Sequence, residues 1–194
     1  MKLAIVKYNA GNIQSVLYAL ERIGMEAVVT DDHELLQRAD KVIFPGVGEA
    51  SSAMAYLKER NLDQLLKGLK QPVLGICLGM QLMCLHSEEN DTECLGIFDT
   101  HVKKFSGHLK IPQIGWNRVM ETKQPLFKDI PGVPYCYFVH SYYAALCDET
   151  AGVTEYGVRF SSALQKNNFY GVQFHPEKSA VVGEQILKNF ISLA

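Results

Sequence analysis

Apolar residues in the first half of the chain form short continuous runs separated by stretches with helical spacing. The runs are typical of strands buried on both faces, and the spacing of three and four residues between them is typical of amphipathic helices. Gly24 ends the first helical stretch at a position that favours a C-terminal stop. Strands are predicted at residues 3–6, 27–29, 41–44 and 72–76, and helices at 13–23, 32–38, 50–56 and 62–69. This order predicts an α/β fold with an open, mostly parallel twisted sheet and helices on both faces.

After residue 89 the pattern changes to strands with more alternation and more glycine and proline. These strands are predicted at residues 96–105, 116–121, 135–139, 157–164 and 169–174, and a closing helix at 184–193. They indicate a mixed or antiparallel C-terminal extension of the sheet. Because no repeat, low-complexity tract or linker interrupts the pattern, residues 1–194 are interpreted as a single domain.

Composition narrows the functional classes. The net charge is −2 with no long run of either sign, which favours neither a nucleic-acid partner nor an anionic membrane surface. No window approaches about 18 consecutive apolar residues, and the N-terminus lacks a signal-peptide pattern. The five cysteines are odd in number and form no Cys-x-x-Cys pair. A reduced, cytoplasmic chain without a zinc site or disulfide framework is therefore expected.

The segment around Cys77 carries the first candidate chemistry. An apolar run ends at Gly75-Ile76-Cys77, and Leu78-Gly79 then opens a sequence compatible with a helix. This pattern predicts a strand, a sharp turn and a helix with the thiol at the apex, as in the nucleophile elbow of hydrolases. A helix N-terminus stabilises a thiolate, and the N–H of Leu78 is expected to be free to stabilise an oxyanion. The alternative is a cysteine that merely fills the core.

A base and its orienting group are predicted at His175 and Glu177. Both follow the apolar strand that ends at Phe174, and Pro176 favours an extended backbone at His175. In an extended segment the side chains of residues 175 and 177 project to the same side, where they can hydrogen-bond. Such a carboxylate would fix the imidazole tautomer and leave the other nitrogen for the thiol. An isolated His-Pro-Glu could equally lie at an unrelated surface strand end.

Three further features are candidates for contacts with a substrate. Gly46, Val47 and Gly48 lack the lysine and spacing of a phosphate-binding loop, so they are better interpreted as a mobile strand end whose Val47 N–H is a second oxyanion donor. Gln81 lies one helical turn after Cys77 and could contact a polar substrate, although mid-helix glutamines are more often exposed. His140 could border the site or be structural.

With these motifs in place, the sequence resembles the class I (triad) glutamine amidotransferases. The Gly-Ile-Cys-Leu-Gly-Met-Gln run and the His-Pro-Glu run match the two diagnostic motifs of that family, and the resemblance spans the whole chain. It implies Cys77 as nucleophile, His175 as general base and acid, and Glu177 as its orienting carboxylate. L-glutamine would be the substrate and no cofactor would be needed. Gln81 and Glu89 would contact the substrate, with Glu89 facing its α-amino group.

Within that family, the most similar branch implies a heterodimer with a (β/α)₈-barrel cyclase that receives ammonia. The resemblance places Asn12, Trp116, Tyr137 and Lys178 on the docking face. Gln113 departs from the family pattern, which usually has histidine there, and this departure bears on the partner contact rather than the triad. The alternatives are a glutaminase that serves another acceptor, in the pyridoxal phosphate or anthranilate pathways, and a non-catalytic regulatory protein on the same scaffold.

Overall fold

Strands and helices alternate through the first half of the computed structural model, which describes residues 1–9, 11–108 and 110–193. The elements are β1 (Leu3–Val6), α1 (Ile13–Arg22), β2 (Ala27–Thr30), α2 (His33–Arg38), β3 (Lys41–Phe44), α3 (Ala50–Glu59), α4 (Leu62–Gly68), β4 (Val73–Ile76) and α5 (Leu78–Leu82). Each strand and helix predicted for this half is present. Gly24 has a φ of 76°, as the predicted stop after α1 requires.

The second half is rich in strands and departs further from the sequence prediction. Its elements are β5 (His86–Ser87), β6 (Thr92–Glu93), β7 (His101–Lys104), β8 (Gln113–Arg118), β9 (Tyr135–His140), β10 (Tyr142–Ala144), β11 (Thr150–Glu155), β12 (Arg159–Lys166), β13 (Phe169–Val172), a 3₁₀ helix (Pro176–Lys178) and α6 (Ala180–Ile191). The strand predicted at 96–105 shrinks to β7. Strands β5, β6, β10 and β11 were not predicted, and α6 begins four residues earlier than predicted.

The sheet confirms the predicted fold class. Strands run in the order β2-β1-β3-β4-β13-β12-β10-β7-β5-β6, and the pairings from β2 to β13 are parallel. Strand β12 then pairs antiparallel with β13, β10 and β11. Strands β8 and β9 form a separate antiparallel pair. The predicted mixed extension is therefore joined to the parallel sheet through β13.

Helices cover both faces of the parallel sheet, as predicted. All residues of β1, β3, β4 and β13 are buried. One face packs against α3 and α4, for example through Leu57 and Leu66. The other face packs against α1 and α6 through Leu20, Ile186 and Phe190. Burial of each such side chain stabilises the fold by about 1.5–3 kcal/mol, which explains why these strands read as continuous apolar runs.

The carboxyl ends of the parallel strands meet at one edge of the sheet. Strands β1, β3, β4 and β13 end there in the turns that lead to residues 11, 46, 77 and 175. The register pairs Phe44 with Gly75 and Ile76 with Val172, so these turns begin at the same level. Sites in open α/β sheets form at this edge. No described helix meets the length and apolarity of a membrane span.

Candidate active site

Cys77 lies at the predicted sharp turn between β4 and α5. Its backbone adopts φ 51° and ψ −107°, a strained conformation that a nucleophile elbow requires. The turn is possible because Gly79 lets the helix approach β3 closely. A Cβ atom on Gly79 would lie 1.9 Å from the carbonyl oxygen of Phe44. The sequence therefore builds the elbow from a strained cysteine and a glycine that no larger residue can replace.

His175 and Glu177 form the predicted pair. His175 Nδ1 lies 2.8 Å from Glu177 Oε1, and their side chains are 2% and 1% exposed. The geometry differs from the prediction in one respect, because Pro176–Lys178 is a 3₁₀ helix and not an extended segment. His175 alone is extended, with φ −98° and ψ 97°, and the carboxylate folds back across the turn. The pair is thus fixed by a tight turn in a water-excluded position.

The surroundings of His175 favour the imidazolium form. Burial of the ring opposes the positive charge, but Cys77 and Glu177 outweigh it and together raise the pKa of His175 to about 10. A histidine held in this way can receive a proton from the thiol and keep it until a leaving group needs it.

Asn12 is directed toward the candidate triad. Its Nδ2 donates a hydrogen bond of 2.8 Å to Glu177 Oε1, the same oxygen that pairs with His175. Asn12 stands at the N-terminus of α1 with a φ of 70°, in the left-handed region that asparagine tolerates. The resemblance implies that Asn12 contributes to the docking face, and in the structure its side chain also holds the Glu177 carboxylate.

The expectation of a free N–H at Leu78 is wrong for this conformation. The Leu78 N–H donates to the carbonyl of Gly46 at 3.2 Å, because the unpaired N–H groups at the start of α5 attract an acceptor. The neighbouring Pro45 carbonyl accepts a hydrogen bond of 2.5 Å from the buried Tyr8 hydroxyl. A Cβ on Gly46 would lie 2.1 Å from that hydroxyl oxygen, so position 46 requires glycine.

A cavity of about 270 Å³ opens beside Cys77. Its volume lies just below the roughly 300–1,000 Å³ of drug-sized ligand sites, which suits a single small polar metabolite. The predicted site residues Val47, Gly48, Leu78, Gln81 and Glu89 line it together with Cys77. Of the predicted candidates for oxyanion and substrate contacts, all except Gly46 therefore line one cavity.

Gln81 and Glu89 each use one polar side-chain atom in hydrogen bonds within the protein. Gln81 Nε2 donates to the Tyr142 carbonyl at 2.8 Å and to Gln173 Oε1 at 2.9 Å, which leaves Oε1 as its remaining hydrogen-bonding atom. Glu89 Oε2 accepts the Ala50 N–H at 2.8 Å. Burial raises the pKa of Glu89 despite that hydrogen bond. One oxygen of each side chain remains to contact a ligand, and both oxygens would accept hydrogen bonds.

His140 also lines the cavity and is buried. Its Nδ1 donates to the Tyr142 carbonyl at 2.7 Å, and Gln113 Oε1 lies 2.9 Å from Nε2, so a neutral ring requires the Gln113 amide to turn its NH₂ group toward Nε2. Desolvation lowers the pKa of His140 to about 4, with a further contribution from nearby His175. The ring is therefore neutral at pH 7. Gln113 is buried too, so its departure from the family pattern alters an internal contact and not the surface.

Sequence reasoning missed Tyr8 and Gln173, which both reach the centre of the site. Gln173 is fully buried and its Nε2 lies 3.6 Å from Cys77 Sγ. Tyr8 precedes the first turn at the sheet edge, and Gln173 precedes Phe174-His175. Their positions beside strand ends were visible, but no local pattern showed which way the side chains point. Within the described residues, no group of three or more acidic, cysteine or histidine side chains could hold a metal ion.

The geometry of the elbow and the His–Glu pair agrees with the comparison of the sequence with known families. The model of the class-I glutamine amidotransferase family matches residues 4–193. The chain therefore belongs to the class-I glutamine amidotransferase family.

Among curated proteins, the chain is similar to the imidazole glycerol phosphate synthase subunit HisH of several bacteria. It is 57% identical to the protein of Bacteroides thetaiotaomicron and 58% identical to that of Bacteroides fragilis (strain ATCC 25285), with all of both chains covered. It is 48% identical to the Pectobacterium atrosepticum protein over the full length of both.

Solved structures share the fold at lower identity. A protein from Thermoplasma acidophilum superimposes with a TM-score of 0.75 at 22% identity, covering 98% of this chain and 92% of the other. A crystal structure of a glutamine amidotransferase gives a TM-score of 0.74 at 17% identity, covering 97% of this chain and 96% of the other.

Proposed function

We propose that this chain is the glutaminase subunit of imidazole glycerol phosphate synthase, which hydrolyses L-glutamine and passes ammonia to a cyclase in histidine biosynthesis. The observation that carries the proposal is the buried His175–Glu177 pair beside a thiol on a nucleophile elbow. Full-length similarity to proteins named as that subunit supports the choice of acceptor. The five cysteines are free thiols, which fits a cytoplasmic enzyme.

The reaction begins when His175 takes the proton of the Cys77 thiol. The thiolate attacks the side-chain carboxamide carbon of glutamine, and the carbonyl π electrons move to the oxygen. When the oxyanion collapses, the C–N bond breaks and His175 protonates the departing nitrogen, which leaves as ammonia, while a γ-glutamyl thioester remains on Cys77. Water deprotonated by His175 then attacks the thioester carbonyl, the C–S bond breaks to release glutamate, and His175 returns the proton to the Cys77 sulfur. Glu177 stabilises the imidazolium in each step, and Asn12 holds Glu177 in place.

The oxyanion site requires one peptide unit to rotate. In the structure the Gly46 carbonyl accepts a hydrogen bond from the Leu78 N–H. The donor is therefore already used, and the carbonyl oxygen occupies the place where the oxyanion would lie. The Gly46 carbonyl and the Val47 N–H belong to the same planar trans peptide and point in opposite directions. Rotation of that peptide by roughly half a turn would free Leu78 and present Val47. One oxyanion donor contributes about 10²–10³ in rate, so the observed arrangement corresponds to a poorly active enzyme.

Glutamine would lie in the cavity beside Cys77 with its charged end toward Glu89. The carboxylate of Glu89 complements an α-ammonium group, and Gln81 Oε1 can accept a further N–H from the substrate. Both orientations follow from the internal hydrogen bonds that already occupy the other polar atoms of these side chains.

The cyclase would dock on the exposed aromatic side chains of the β8–β9 pair. Trp116 is 43% exposed and Tyr135 is 51% exposed, and their rings stack at 5.7 Å. Exposed aromatic clusters of this kind are typical of protein interfaces. The adjacent Tyr137 carbonyl accepts the His175 N–H at 2.9 Å, and Lys178 is exposed directly after the triad. A partner on this surface would therefore be one hydrogen bond from the catalytic histidine.

A glutaminase assay with and without the cyclase tests this proposal. We expect the purified chain alone to hydrolyse glutamine poorly. The cyclase with its nucleotide ligand should raise kcat by at least about 10², because the rotation supplies both the Leu78 and the Val47 donor and one donor alone contributes that much. Full activity of the chain alone would contradict the proposed peptide rotation. Activation only by a pyridoxal phosphate or anthranilate pathway enzyme would contradict the acceptor. If Cys77 were not labelled by a glutamine-like electrophile and no partner gave activity, the chain would be a regulatory protein.

A further inference from the structure

Gln173 is a buried polar side chain that the glutaminase mechanism above does not use. It follows β13 directly, two residues before His175, and it has no solvent-exposed surface. Its N–H donates to the Ser162 carbonyl at 2.9 Å, which fixes its backbone against β12. A fully buried amide that fills the core without hydrogen bonds would destabilise the fold. The hydrogen bonds of this amide therefore decide what it contributes to the protein.

A chain of hydrogen bonds determines which end of the Gln173 amide faces Cys77. The Tyr142 carbonyl only accepts, so the Gln81 atom at 2.8 Å from it is the amide nitrogen. The second hydrogen of that nitrogen points at Gln173, whose facing atom, at 2.9 Å, must be its oxygen. The remaining end of Gln173 is its NH₂ group, which lies 3.6 Å from Cys77 Sγ. The sulfur thus faces a group that can only donate.

Besides His175, which takes its proton, Cys77 Sγ has two further polar neighbours of opposite character. The Val139 carbonyl lies 3.7 Å away and can accept the hydrogen of a neutral thiol. The Gln173 amide can donate to the sulfur in either state, and its hydrogen bond becomes stronger when the sulfur is negatively charged. Loss of the thiol proton to His175 would remove the contact with the carbonyl and strengthen the contact with the amide.

We propose that Gln173 is a further catalytic residue, whose side-chain N–H stabilises and orients the Cys77 thiolate for attack on glutamine. This inference rests on the proposed function. Gln173 transfers no proton: the thiol proton goes to His175, a sulfur lone pair forms the C–S bond, and the carbonyl π pair moves to oxygen. Through Gln81 the donor is also connected to the substrate cavity, because Gln81 holds the Gln173 amide in the donating orientation.

Replacement by methionine separates this role from simple packing. Gln173→Met keeps the length of the side chain and removes the donor. Gln173→Glu keeps the acceptor for Gln81 but places a carboxylate beside the sulfur. Gln165→Met, the same substitution on β12, is a matched control, since Gln165 is partly exposed and contacts neither Cys77 nor the cavity. Thermal melting of each variant reports whether it folds.

The readout is the pH dependence of Cys77 alkylation by iodoacetamide, together with kcat and KM for glutamine in the presence of the cyclase. A hydrogen bond to a charged group corresponds to at least about a tenfold preference for the ion. We expect the alkylation midpoint to rise by about one pH unit in Gln173→Met and further in Gln173→Glu. We also expect kcat to fall about tenfold in Gln173→Met with KM little changed. Gln165→Met should behave as the unmodified chain.

Unchanged midpoints and kcat in folded Gln173→Met would overturn the inference, as would a midpoint in Gln173→Glu at or below that of the unmodified chain. Alkylation does not need glutamine, so it tests Gln173 even if the unmodified chain fails to hydrolyse glutamine. That failure would count against the proposed function alone. If Gln173→Met does not fold, the isosteric Gln173→Glu decides the question by the direction of its shift.

Discussion

The hydrogen bond between Asn12 and Glu177 gives a prediction whose size can be worked from the structure. The bond is 2.8 Å long and ends on the carboxylate oxygen that also holds His175. Hydrogen bonds to charged groups contribute about 1.5–3 kcal/mol. Because Asn12 is only half-buried, the lower value applies, and about 1.4 kcal/mol corresponds to a factor of ten in rate. We therefore expect Asn12→Gly to lower kcat about tenfold.

Glycine is the suitable replacement because Asn12 has a φ of 70°. Glycine adopts this conformation without strain, so the substitution removes the side chain and leaves the turn intact. Asn61→Gly is the matched control. Asn61 also begins a helix in the left-handed region, with a φ of 53°, and its side chain makes no capping hydrogen bond. Both variants gain the same chain flexibility in the unfolded state, so a difference between them reports the contact with Glu177.

The assay is glutamine hydrolysis at saturating cyclase, with the cyclase titrated so that weaker docking is not mistaken for slower chemistry. Asn12→Gly should lose kcat with little change in KM, and Asn61→Gly should change neither. In a Glu177→Gln background the Asn12 substitution should have almost no additional effect, because the two residues act through one contact. A wild-type kcat in Asn12→Gly, or an equal additional loss without Glu177, would refute this reasoning.

Three further predictions concern the His175–Glu177 pair, the neutral His140 and the close packing at Gly79. Glu177→Gln removes the counter-ion of the imidazolium, so it should lower the pKa of His175, followed by histidine NMR, and reduce kcat by about 10³–10⁴; an unchanged pKa would contradict the pairing. Since the pKa of His140 is lowered from 6.5 to about 4, its stabilising contribution is complete above pH 6.5 and is lost as the pH falls toward 4. Between pH 7 and pH 5, the free energy of unfolding measured in urea should fall by about 2 kcal/mol less in His140→Gln than in the unmodified chain. Equal decreases in the two proteins would contradict this role of His140. Gly79→Ala would place a Cβ 1.9 Å from the last carbonyl oxygen of β3 and should destabilise the fold by several kcal/mol. Gly68→Ala, with open space around it, should be neutral or slightly stabilising, and equal melting temperatures for the two variants would disprove the close-packing argument.

The parallel half of the fold could be predicted because most of its strands are buried on both faces. Strands β1, β3 and β4 consist entirely of buried residues, so their apolar runs are continuous and stand out from the helical spacing around them. Strands β10 and β11 carry no such signal. The first has three residues, of which one is buried, and the second contains Gly152 at a register shift. They are strands because they pair with β7 and β12, and their own sequence does not indicate this pairing.

The candidate site also has features that could be predicted from the sequence and features that could not. Cys77, His175 and Glu177 could be predicted because their chemistry lies in local motifs at strand ends. The contact of the Leu78 N–H with Gly46 could not, because it depends on how closely β3 and α5 approach. The orientation of Gln173 also depends on a distant residue, since Tyr142 fixes Gln81 and Gln81 fixes Gln173. Local sequence indicates which groups can react, and tertiary contacts decide which hydrogen bonds are free.

The central claim is that Cys77 attacks glutamine and carries the glutamyl group. The most direct measurement is mass spectrometry of the chain after acid quenching during turnover with the cyclase and glutamine. We predict a glutamyl adduct on the peptide that contains Cys77, and no adduct on the peptide that contains buried Cys84 or in the Cys77→Ala variant. Glutamine hydrolysis without an adduct on Cys77, or turnover that persists in Cys77→Ala, would contradict the mechanism.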